Sequence, residues 1–128
     1  MADVNRRTGV VWIRRGFPFL IAFALCGSAL AAAPPDQKTV RLWKSKCSAC
    51  HGADGKGDTD QGKKMKIANM ATAAYQKSFT DDQLKNAILN GVKTEKDGVK
   101  KEMDPYKDEL TPEQVNALVQ LIRALPTS

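Results

Sequence analysis

Capping residues followed by apolar positions three and four apart recur from residue 36 onward, and this pattern predicts helices. Asp36 heads the first, with Val40, Trp43 and Cys47 on one face at helical spacing. Thr72 caps a short second helix running through Gln76. Thr80-Asp81-Asp82-Gln83 is a capping box, in which the threonine and glutamine side chains each accept from the other's backbone N–H. Leu84, Ala87 and Ile88 form the apolar face that follows, and Asn90-Gly91 ends that helix. Thr111-Pro112-Glu113-Gln114 is a second box, with proline at the favoured first helical position. Val115, Leu118, Val119, Ile122 and Leu125 then make the clearest amphipathic stripe in the chain, and Pro126 stops it. Residues 92–110 are lysine-rich and lack a period, which predicts loop. No strand pattern or internal repeat competes, so the expected class is all-α.

The first 31 residues follow a different pattern. Arg6, Arg7, Arg14 and Arg15 form a basic region, and Phe17 to Leu25 is an apolar run. Ala29 and Ala31 then supply the small residues of a cleavage site. This predicts a secretory signal over 1–31, a stiff linker over 32–36 and one domain over 37–128. The apolar run is shorter than the roughly 20 residues a spanning helix needs, so no membrane span is expected after processing. An anchored form is the expectation only where the signal stays uncleaved. Cys26 reads as apolar filler inside the removed segment.

Processing changes the composition. Of 128 residues, 97 remain once 31 are removed. The signal carries a net +3 of the chain's +6, so +3 remains. No run of Lys and Arg is interleaved with aromatics, which argues against a nucleic-acid groove. A domain this small has a marginal core of its own. The remaining aromatics are Trp43, Tyr75, Phe79 and Tyr106.

The candidate chemistry lies at the end of the first helix. Cys47-Ser48-Ala49-Cys50-His51 is a C-x-x-C-H motif, the signature of covalent haem attachment. Two thiols at this spacing add across the two vinyl groups of one haem, and the adjoining imidazole is placed to ligate the iron. A redox dithiol would need a βαβ context that the pattern lacks. A structural zinc site would need four ligands, and Cys47, Cys50 and His51 are the only Cys or His outside the signal. A disulfide beside a core histidine is the remaining bland alternative.

Gly52-Ala53-Asp54-Gly55-Lys56-Gly57-Asp58 reads as a tight loop after the motif. It lacks both the G-K-[S/T] of a phosphate cradle and the twelfth-position glutamate of a calcium loop. A second axial ligand is sought among Met65, Met70 and Met103. Met103 is favoured, because it stands just before the last helix and Pro105 stiffens its loop. Met65 and Met70 are expected to line the pocket.

With these residues in place, the mature chain resembles the bacterial class I c-type cytochromes over residues 38–126. The resemblance rests on Leu42-Trp43, Cys47-Ser48-Ala49-Cys50-His51-Gly52, Asp54-Gly55-Lys56-Gly57, Met103-Asp104-Pro105-Tyr106 and the final Leu118-Val119-Gln120-Leu121-Ile122-Arg123. It implies a small all-α cytochrome c-like fold, with crossing N- and C-terminal helices around one covalent haem. Two departures stand out. Leu121 occupies a helix-crossing position where an aromatic is frequent, and Ala68-Asn69 lies where a proline is common.

The expectation is a soluble, monomeric, periplasmic one-electron carrier with one haem c per chain and no substrate turnover. Cys47 and Cys50 hold the haem, His51 is the proximal ligand and Met103 the distal one. Redox partner proteins are expected, with Lys44, Lys46, Lys56, Lys63, Lys64, Lys66, Lys100 and Lys101 as candidates for steering acidic partners. The rival classes are a haem-based gas sensor, a small peroxidase and a small subunit of a respiratory complex.

Overall fold

The computed structural model describes residues 34–127. The signal expected over 1–31 lies outside the described residues. Helix α1 spans Gln37–Lys46. Asp36 caps it, accepting from the N–H groups of Lys38 and Thr39 at 2.7 and 3.0 Å. The Thr39 hydroxyl also donates to the Asp36 carboxylate at 2.8 Å. This satisfied hydroxyl explains a departure from the expected face of the helix. Thr39 and Trp43 are buried, whereas Val40 is 44% exposed.

Three short helices follow: α2 (Ser48–His51), α3 (Asp60–Lys64) and α4 (Ala73–Ser78). Thr59 caps α3 and Thr72 caps α4, which runs two residues beyond its expected end. Helix α5 (Asp81–Asn90) starts at the Thr80–Gln83 box and buries Leu84 and Ile88. Helix α6 (Pro112–Arg123) starts at the Thr111–Gln114 box and buries Val115, Leu118, Val119, Leu121 and Ile122. Helices α1 and α5 both pack on α6. Trp43, Met70, Ala71, Leu84, Leu110 and Leu125 join α6 in the core. Among the described residues, no helix is long and apolar enough to cross a membrane.

The all-α expectation needs one correction. The segment read as loop contains an antiparallel hairpin, β1 (Val92–Lys96) and β2 (Val99–Met103), with Val92 opposite Met103 and Lys96 opposite Val99. Asp97 and Gly98 form its turn with φ of +53° and +71°, the left-handed pair that a two-residue hairpin needs. Lys93 and Glu102 pair across the strands at 2.9 Å. The strands are too rich in Lys and Glu to show an apolar alternation. Only β2 alternates in burial, with Val99, Lys101 and Met103 on its half-buried side.

Candidate functional site

Cys47 is the junction between α1 and α2, and its carbonyl accepts from the N–H groups of Cys50 and His51 at 3.2 and 2.9 Å. A helix of four residues leaves its carbonyls without intrahelical partners. Here the last two find external donors. The Thr59 hydroxyl donates to the Cys50 carbonyl at 2.9 Å, and the Gly57 N–H to that of His51 at 2.8 Å. The Trp43 indole N–H donates to that of Gly52 at 3.1 Å. Gly52, Gly55 and Gly57 all adopt positive φ, which lets the loop fold back on α2. Trp43 therefore serves both core and site, and its ring lies 6.0 Å from that of His51.

The two thiols are free and half-buried. Burial, with Cys50 adding to it, pushes the Cys47 thiol up to about 11. The thiolate is the nucleophile, so folding before attachment would suppress reaction at Cys47. Burial also lowers the His51 pKa, which keeps the imidazole neutral and its lone pair free for a metal. His51 Nδ1 is buried and has no hydrogen-bond partner among the described residues. No backbone carbonyl among them accepts from it.

His51 forms part of the wall of a cavity of about 640 Å³. This lies within the roughly 300–1,000 Å³ typical of cofactor pockets. Ile67, Ala68, Leu84, Ala87 and Val92 make much of the lining apolar, and Met65, Met70 and Met103 all reach it. The structure therefore brings all three candidate sulfurs to the space His51 faces. Their settings differ. Met70 is 3% exposed and its N–H donates to the Gly55 carbonyl at 2.9 Å. Met103 is half-buried at the end of β2, and a Cβ on Gly91 would come within 2.4 Å of its carbonyl oxygen. An apolar cavity of this size with His51 on its wall fits a haem, and Cys47 at the cap of α2 and Cys50 within it, neither of them lining the cavity, are the thiols that would hold it covalently.

Residues outside the motif also shape the site. The Tyr106 hydroxyl donates to the Lys46 carbonyl at 3.2 Å, joining the loop after Met103 to the residue before Cys47. Lys46 pairs with Glu109 across the same seam. Gly62 sits so close that an added Cβ would lie 2.6 Å from the Cys50 carbonyl oxygen. Sequence reasoning missed Thr59 and Gly62, although Thr59-Asp60-Gln61-Gly62 does place a capping residue before a short helix. Of the eight lysines considered for docking, Lys46, Lys56 and Lys63 are engaged by nearby carboxylates.

The chain is similar to a solved structure described as "KustC0563 c-type cytochrome", with 31% identity and a TM-score of 0.59. That alignment covers 70% of this chain and 98% of the other. It is also similar to a tyrosine-to-phenylalanine mutant of Kustc0563, with 32% identity, a TM-score of 0.56, and 68% and 96% of the two chains covered. No curated protein matches the chain. A model of the cytochrome c family matches residues 37–126, taking in the motif, the cavity wall and the last helix. The chain belongs to that family, whose members bind haem c covalently and transfer electrons.

Proposed function

We propose that the protein is an exported, periplasmic one-electron carrier holding one haem c with His/Met axial ligation. The observation that carries this reading is that His51, directly after the second motif cysteine, shares one apolar cavity with Met103. The haem supplies reversible Fe(III)/Fe(II) exchange when bound. The chain supplies the rest. Cys47 and Cys50 would form the two thioether links, His51 would offer its imidazole from a helix whose last two carbonyls are externally tied, and Met103 would offer a thioether from the hairpin end. The apolar part of the lining would limit water around the bound group and favour its less charged reduced state.

The contact of α1 with α6 supports the crossing of first and last helices expected for this fold. Cleavage after the signal, a 37–128 domain, a monomeric state and protein redox partners belong to the same reading. So does the absence of substrate turnover, because no second histidine exists to act as a distal acid–base group.

Optical spectra of the exported holoprotein test it. A thioether-linked haem spectrum with a sulfur–iron charge-transfer band is expected, and Met103→Ala should abolish that band. Loss of the band in Met65→Ala or Met70→Ala, with Met103→Ala unaffected, would name a different ligand. A high-spin iron that takes up carbon monoxide readily would shift the reading to sensing or catalysis.

A further inference from the structure

Arg123, the last residue of α6, lies outside the cavity but is hydrogen-bonded to the chain that walls it. Its Nε donates to Asp81 Oδ1 at 2.8 Å and its Nη1 to both the carbonyl and Oε1 of Gln76, at 2.8 and 2.9 Å. Nη2 donates to the Phe79 carbonyl at 2.6 Å. Gln76 in turn donates from Nε2 to the carbonyls of Met70 and Ile122, at 2.8 and 2.9 Å. One guanidinium thus ties the end of α6 to the last turn of α4, the connecting Phe79 and the first residue of α5. Tyr75, Phe79, Asp82 and Leu84 on those segments line the cavity, as does Met70.

Among the described residues, helix α4 is otherwise held by the Gln76 bonds to the Met70 and Ile122 carbonyls and by Tyr75 at the edge of the core. It is six residues long, well below the roughly 12–15 at which an isolated helix becomes marginally stable. It packs on no other element as extensively as α1 and α5 pack on α6. The Tyr75 and Phe79 rings touch at a centroid distance of 4.7 Å, and Phe79 is 41% exposed. This aromatic pair is a wall whose Phe79 end faces solvent; Tyr75 packs on the edge of the core, and the carbonyls of Gln76 and Phe79 are held by Arg123. A guanidinium suits the task because its rigid fork reaches several acceptors at once.

We infer that Arg123 is a positioning residue that holds the Tyr75–Phe79 wall over the cavity and thereby limits the access of small ligands to the haem. This rests on the haem reading above and names the gate of that site. Losing the fork leaves the wall free to open locally while the rest of the fold persists.

The test is cyanide binding to the ferric holoprotein, in which cyanide would enter the cavity and displace the Met103 sulfur from the iron, followed by stopped-flow absorbance in wild type, Arg123→Met, Arg123→Lys and Thr111→Ala. Thr111 caps the far end of α6 and serves as a stability control. Arg123→Met should bind cyanide about tenfold faster, as expected when a charged hydrogen-bond hub is lost, with Arg123→Lys intermediate. Thr111→Ala should leave the rate unchanged. Should Arg123→Met fail to fold, Arg123→Lys carries the comparison by itself. An Arg123 variant that melts earlier but binds cyanide at the wild-type rate overturns the proposal, as does a Thr111→Ala protein accelerated to the same degree. The wild-type spectrum separates this outcome from failure of the underlying reading, which would show there first as missing thioether haem or missing sulfur ligation.

Discussion

The carbonyls of Cys50, His51 and Gly52 receive donors from Thr59, Gly57 and Trp43 respectively. The backbone around the imidazole is therefore set by three separate parts of the chain. Thr59 has a double duty, since its hydroxyl also accepts from the Gly62 N–H at 2.9 Å. Thr59→Val keeps the shape but orphans both partners, and should cost about 1–3 kcal/mol in guanidinium unfolding. Tyr106→Phe removes only the bond to the Lys46 carbonyl, so a smaller loss of about 0.5–1.5 kcal/mol is expected. Met70→Ala separates packing from ligation. Met70 is nearly fully buried, so its truncation should cost about 2–5 kcal/mol while the sulfur–iron band survives. The motif was legible because its chemistry is consecutive in the chain. Thr59 and Arg123 were not, because their partners lie 9 and more than 40 residues away. No local pattern records a bond of that span.

At the scale of elements, the capping boxes show why some helices could be read and the hairpin could not. Thr80 and Gln83, like Thr111 and Gln114, satisfy each other within four residues, so sequence alone contains the whole interaction. Thr111→Ala should therefore destabilise the protein by about 1 kcal/mol, measured by chemical denaturation. The hairpin is held by backbone pairing and by the Lys93–Glu102 contact, with only one half-buried face. Hydrophobic periodicity is silent about such a ribbon, and the Asp97-Gly98 turn was its one sequence signal. Helix α1 failed in a subtler way. Val40 looked like a core position, but burial of Thr39 through its bond to Asp36 rotates the inward stripe by one residue. Val40→Lys should accordingly change stability by no more than about 0.5 kcal/mol.

For the molecule as a whole, the cavity and the core compete for the same few apolar residues. Leu84 and Met70 face the cavity and also belong to the core cluster. A flat apolar group filling the cavity of about 640 Å³ would supply packing partners on the side of those residues that faces it. Haem-free protein should lack a cooperative thermal transition by near-ultraviolet circular dichroism, while the holoprotein melts in one step. The deep positive shift of Cys47 points the same way. A thiol this hard to ionise in the closed fold would react more readily in the open chain.

The turn of the hairpin has a practical consequence. Among the described residues, a Cβ built on Gly98 would have nothing within 4 Å, whereas one on Gly62 would strike backbone. The strand between that turn and Met103 is five residues long, about 17 Å at the usual rise. The tip is therefore a built-in handle, spaced one strand length from the proposed sulfur ligand and unobstructed around Gly98. A short metal-chelating or biotin-acceptor peptide grafted between Asp97 and Gly98 would tether the protein to an electrode in one orientation and leave the cavity intact.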